Sequence, residues 1–368
     1  MSAATAASAL PVRPAARPPR PVPWAALSAL LLAASLAAAI TLGPARVSPE
    51  GALAVLRDAL GLGPLAPEFA RDAAILTVVR LPRALLAALV GAGLACAGAA
   101  MQGLFRNPLA DPGLIGVSSG AALFAAAGIV LGPALFGARA GDALGLWLLP
   151  LLAFAGGLGA TLLIARLATR DGGTGVATLL LAGVGVNALC AAALGLLISV
   201  ADDRQIRDVN FWLLGSLAGA RDVHLPIVAA LCALPCLALL PLARPLNALA
   251  LGEREAFHLG VPVETAKRLA VGLAALAVAG GVAFTGLVGF VGLVVPHLVR
   301  LAARTADHRV VLPASALLGG AMLVLADLAA RSLAAPAELP VGVVTALLGA
   351  PAFLWLLRRR AGAAAEGG

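Results

Sequence analysis

Charged positions divide this chain into long apolar blocks. Nine runs contain no Asp, Glu, Lys or Arg: 21–45, 84–105, 112–138, 143–165, 172–201, 223–243, 269–299, 310–326 and 339–357. A helix needs about 20 apolar residues to cross the hydrocarbon core of a bilayer, so each run predicts a spanning helix. The run 269–299 is 31 residues long and holds Gly280-Gly281 and Thr285-Gly286, which can turn the chain and make two spans of one. The continuous apolar runs speak against a barrel, whose strands would alternate polar and apolar residues.

The side on which the basic residues fall chooses between nine spans and ten. Lys and Arg concentrate in cytoplasmic loops. With the N-terminus inside, ten spans place 16 of the 26 basic residues in the cytoplasm, whereas nine spans place only 11 there. The expectation is an all-α polytopic membrane protein with ten transmembrane helices and both termini cytoplasmic. Residues 1–23, rich in Ala, Pro and Arg, are expected as a disordered cytoplasmic tail. Residues 24–358 form the membrane domain and 359–368 a cytoplasmic C-terminal tail. The first apolar run exceeds the roughly 7–15 residues of a signal-peptide core, so it is expected to remain as an uncleaved span. Residues 46–79 carry seven charges around short apolar runs and are expected as an external loop with a helix lying on the membrane surface.

Composition narrows the class further. The chain is 61% hydrophobic and 12% charged, with mean hydropathy +1.00 and a formal charge of +8. Soluble domains carry about 25% charged residues, so a soluble enzyme, a disordered chain and a disulfide scaffold are all excluded. The four cysteines, Cys96, Cys190, Cys232 and Cys236, all lie in predicted spans and are read as small core hydrophobes without a metal. Lys267 is the sole lysine, so no phosphate-binding loop ending in Gly-Lys-Ser/Thr exists here. Asp327 is the one acidic residue well inside a span, with Arg331 one turn on as its natural partner. No catalytic cluster stands out, and a single carboxylate is a poor basis for an ion-coupled secondary transporter, the rival class. If this chain moves a substrate, another protein supplies the energy.

Three regions interrupt the apolar blocks. Gln102 to Gly113 forms a turn-rich connection through Asn107-Pro108 and Asp111-Pro112-Gly113. The longest cytoplasmic loop, about 245–268, has two short helical patches broken at Gly252 and closed by Gly260 and Pro262. Its apolar stripe, Leu249, Ala256, Phe257 and Leu259, suits docking into a partner's groove or lying on the bilayer. On the outer side stand Arg80, Arg83 and Arg331, against the usual charge bias, suited either to lipid headgroups or to a protein's carboxylates.

These same stretches resemble the permease subunits of iron-siderophore, haem and cobalamin ABC importers, the FecCD family. The resemblance runs through Arg80–Arg83, Gln102–Gly113 with Gly116–Ala121, Leu181–Val184, Phe211–Leu217, Leu251–Pro262, Gly289–Arg300, Asp307–Arg309, Asp327–Arg331 and Glu338–Thr345 into Gly349–Pro351. It implies a ten-span type II importer subunit that forms a homodimer in the bacterial inner membrane. Two cytoplasmic ATPases bind beneath and a periplasmic binding protein docks above, with no nucleic acid involved. ATP and Mg belong to the ATPases; this chain binds no cofactor or metal and is not itself an enzyme. The resemblance further implies coupling helices at about 247–262, with Leu251, Gly252, Glu253, Ala256, Phe257, Leu259 and Gly260 contacting the ATPase. It places binding-protein docking at Arg80, Arg83 and Arg331, and the cytoplasmic gate at Gly175, Val176, Ala177 and Thr178. Ala201 to Arg207 with Phe211-Trp212 looks most like the haem permeases, with ferric siderophore or cobalamin as alternative cargoes.

Overall fold

The computed structural model describes residues 21–137, 143–170 and 172–365. Residues 1–20 of the expected tail (1–23) lie outside them, and residues 21–23 open the first helix instead. The first span is α1 (Pro21–Thr41). α2 (Pro49–Ala59) is capped by Ser48, whose hydroxyl accepts from the Gly51 amide at 3.0 Å and donates to Asp72 at 2.7 Å. α3 (Ala70–Ala74) passes through a π-helical stretch, Ile75–Arg80, straight into α4 (Leu81–Leu104). Much of the expected loop 46–79 is therefore helix, and its last part is continuous with the second span.

α5 (Val117–Phe136) and α6 (Ala143–Ala168) follow, and a two-stranded hairpin, β1 (Thr169–Arg170) with β2 (Gly173–Thr174), turns the chain into α7 (Val176–Ser199). α8 (Asp203–Leu214) begins in a capping box, with the Asp202 carboxylate accepting from the Gln205 amide and the Gln205 side chain accepting from the Asp202 amide. α9 (Leu225–Leu239) leads to two short helices, α10 (Ala243–Leu251) and α11 (Glu253–His258). The remaining helices are α12 (Val263–Thr285), α13 (Val291–Ala303), α14 (His308–Leu333) and α15 (Val341–Ala365). α15 runs past the expected boundary at residue 358.

Among the described residues, eight helical stretches are long and apolar enough to cross a membrane, and two shorter apolar helices, Val291–Ala303 and Val341–Leu354, stand where the eighth and tenth spans were expected. The expected break in 269–299 falls at Gly286 (φ +68°); α12 runs unbroken through Gly280-Gly281. At about 1.5 Å per residue α13 measures roughly 20 Å, short of a full crossing. The chain reaches it through residues 286–290, of which Gly286 packs against Gly215 and Leu287 against the backbone of Gly215 and Gly342. Backbone groups there are paired, with the Ser216 amide donating to Thr285 at 2.7 Å and the Val341 amide to Gly215 at 3.0 Å. Irregular backbone at membrane depth is tolerated only when buried and paired in this way.

α4 is the hub, packed by α14, α12, α9 and α13. It approaches its neighbours at glycines: a Cβ at Gly91 would lie 2.3 Å from the Gly319 carbonyl oxygen, and one at Gly98 would lie 1.9 Å from that of Gly292. Close backbone contact replaces the hydrophobic effect as the source of helix association in lipid. α14 runs antiparallel to α4, since His308 sits on Gly103 at one end and Asp327 on Arg83 at the other. Two polar clusters therefore occupy opposite ends of the bundle.

Candidate coupling interface

At the Gly103 end, α10 and α11 meet at a corner made by Gly252, whose φ of +137° is open to glycine and strained for other residues. Ala256 is fully buried and roots α11, while Leu251, Phe257 and Leu259 are each about two-thirds exposed. Three large apolar side chains at the tip of a charged corner form a knob that fits a partner's groove. Gly260 closes it in the left-handed region, at φ +79°.

This corner is tied to the bundle at two places. Asn247 on α10 grips the start of α14: its Oδ1 accepts from the His308 amide at 2.9 Å, and its Nδ2 donates to Asp307 Oδ1 at 2.6 Å. Asp307 also caps α14 and pairs with Arg309 at 2.8 Å. Partial burial opposes its ionisation, but the bonds from Arg309 and Asn247 outweigh that and bring its carboxyl down from 3.8 to about 2. The second tie is Lys267, 2% exposed, whose Nζ meets Glu253 at 2.9 Å, Glu264 at 2.5 Å and the Thr174 carbonyl at 2.5 Å. A buried ammonium has three donors to satisfy, and here all three are used.

The positions expected as a gate follow directly. Gly175 precedes α7 in an extended conformation, Val176 opens the helix half-buried, and Ala177 and Thr178 are exposed. Beyond them α7 keeps an open apolar face at Leu181, Val184, Leu189 and Leu196, each exposed by 65% or more.

The outward arginines correct the sequence reading. Arg80, Arg83 and Arg331, expected as the docking residues for a binding protein, are only 3%, 8% and 6% exposed. Arg80 donates to the carbonyls of Ile40 (2.6 Å), Thr41 (2.9 Å) and Ala45, and Arg331 to that of Ala39. Together they cap the C-terminal end of α1, where unpaired carbonyls concentrate negative charge. Arg83 pairs with Asp327 at 2.9 Å and with Glu338 at 2.9 Å. In this conformation all three serve the chain's own structure, and Glu338, its side chain 41% exposed, is the part of the cluster open to solvent.

Sequence reasoning passed over Lys267 and Asn247 as functional residues, although a sole lysine in a nearly lysine-free chain was a usable signal. The four cysteines are free and buried, with Cys232 and Cys236 pointing at backbone carbonyls of Ala277 and Ala92. Among the described residues no group of three or more His, Cys, Asp or Glu side chains is placed to hold a metal ion.

Apolar helices joined by close glycine contacts, with a protruding two-helix corner at one end, define a multi-pass membrane protein. The family model for the FecCD transport family matches residues 30–359, and the chain belongs to that family. It is 48% identical over 282 residues to the hemin transport system permease protein HmuU of Yersinia pestis, covering 77% of this chain and 82% of that one. It is also 48% identical over 290 residues to the cobalamin import system permease protein BtuC of Halobacterium salinarum, covering 78% and 74%. Among solved structures, an inward-facing metal-chelate type ABC transporter superposes with TM-score 0.77 at 32% identity, over 91% of this chain and 98% of that one. The chain is thus a permease subunit of an ABC transporter that works with ATPase partners, and it is not itself an enzyme.

Proposed function

We propose that this permease imports an iron complex, haem, across the bacterial inner membrane, with both termini in the cytoplasm. The observation that supports this reading most is the 48% identity with the hemin permease of Yersinia pestis. The similarity of Ala201 to Arg207 and Phe211-Trp212 to haem permeases adds to it; those residues form the start and end of α8. A cobalamin permease matches at the same identity, so cobalamin is the competing cargo, with ferric siderophores as a third.

In this reading two copies pair through the exposed apolar face of α7, and Gly175 to Thr178 at its start gate the path between them. The ATPases bind the corner formed by Leu251, Gly252, Glu253, Ala256, Phe257, Leu259 and Gly260. The exposure of Leu251, Phe257 and Leu259 supports that assignment. A periplasmic binding protein docks at the opposite end, where the half-open Glu338, paired with Arg83, reaches the rim. ATP closes the ATPases, the corner moves, and the two copies rock between outward- and inward-facing forms.

The deciding experiment reconstitutes the permease with its ATPase and binding protein in proteoliposomes and offers haem, cyanocobalamin and a ferric siderophore in turn. ATP-dependent accumulation of haem alone supports the proposal. Accumulation of cobalamin in preference to haem would overturn the cargo while leaving the permease reading intact.

A further inference from the structure

Lys267 joins three elements that have no reason in sequence to share an ion pair. Its own helix, α12, supplies Glu264; α11 supplies Glu253; and the hairpin that opens α7 supplies the Thr174 carbonyl. Glu264 completes the ring by accepting from the Thr174 amide at 2.8 Å. Both backbone polar groups of Thr174 are therefore held in the node, one residue before Gly175. Arg268 adds a strap, donating to the Gly172 carbonyl at 2.8 Å.

We propose that Lys267 is the positioning residue that links the coupling corner to the start of α7. The inference rests on the permease reading above and deepens it. Glu253 is the first residue of α11 and follows the Gly252 corner, so a push on the exposed knob reaches Glu253 directly. Glu253 lies on the moving corner, its side chain 42% exposed, while Lys267 is buried at 2%. A displacement of α11 must either carry the ammonium with it or break a buried charge contact, which is unfavourable. Because the same ammonium holds Thr174, the displacement arrives at Gly175 to Thr178. Coupling between distant sites needs such a contiguous set of contacts shared by both. The node contacts no cargo, so its effect falls on how hydrolysis is converted into movement.

The test uses the full permease reconstituted with its ATPase in nanodiscs, with a reporter cysteine at Ala177. The four native cysteines are buried, so a polar thiol reagent reads the reporter over a low background. With Lys267 intact, ATP is expected to change the labelling rate by about tenfold, a usual size for allosteric coupling. Lys267→Met is expected to keep ATPase association and hydrolysis but lose that ATP-dependent change. Glu253→Gln leaves Lys267 its other two acceptors, so the fold is retained; because Glu253 also lies in the proposed ATPase contact, its labelling is compared at equal bound ATPase, and the same loss is expected. A full ATP-dependent change in either variant, with ATPase bound, would overturn the latch alone. Failure of the ATPase to associate when Lys267 is intact would instead overturn the permease reading, and the latch with it.

Discussion

Arg83 and Asp327 are 244 residues apart in sequence and meet at two points, with Arg83 Nε 3.0 Å from both carboxylate oxygens and Nη2 2.9 Å from Oδ1. The contact closes the end of the bundle opposite the coupling corner. It joins the first turn of α4 to the last turns of α14, and Asp327 also meets Arg331 at 3.8 Å, which with Arg80 holds the end of α1.

Removing one member of that pair leaves a buried charge. Arg83→Ala is expected to destabilise the permease by about 3–5 kcal/mol. Arg83→Ala combined with Asp327→Ala is expected to recover part of the loss. Thermal unfolding in detergent compares the two; equal Tm values for the single variant and the parent would refute the structural role.

Close backbone approach makes α4 intolerant of side chains at two positions. Gly98→Ala puts a methyl 1.9 Å from the Gly292 carbonyl oxygen, and overpacking of this kind costs about 1–3 kcal/mol. The fraction eluting as a monodisperse peak is expected to fall, and Gly185→Ala, where nothing lies within 4 Å of the added Cβ, should match the parent.

The knob separates binding from folding. Phe257→Asp and Leu251→Asp alter exposed side chains, so Tm is expected to stay within the roughly 0.5 kcal/mol equivalent typical of surface changes. Co-purification of the ATPase is expected to be lost. Retained association would move the ATPase contact elsewhere.

Asp307 predicts a pH dependence. Its carboxyl titrates lower in the folded chain than in the unfolded one, about 2 against 3.8. Its contribution is therefore complete above the unfolded value and disappears as pH falls through the folded one. Asp307→Asn is expected to lower Tm at pH 5 and to converge with the parent towards pH 2. Parallel curves over that window would remove the titration from the explanation.

The spans were largely legible because they depend on local information. An apolar run that excludes charge must be helical in lipid, whatever surrounds it. The two-helix corner was legible for a similar reason: Gly252 breaks, and Gly260 closes, the short amphipathic stretch at about 247–262. Arg80 and Arg83 show where this fails. An Arg-x-x-Arg pair before a span reads as an exposed basic patch, yet its partners are the carbonyls of Ile40, Thr41 and Ala45 and the carboxylates of Asp327 and Glu338. Nothing within the motif reports where a carbonyl will end up.

By itself, then, the sequence determined the membrane class, the place of most helices and a break within 269–299. Tertiary structure alone decided which charges are free. Burial and pairing depend on which helices become neighbours, and close contacts such as Gly91 on Gly319 set that arrangement. Lys267 is the clearest case: the chain's sole lysine, given no structural role by the sequence, becomes, once α11, α12 and the hairpin converge, the shared partner of all three.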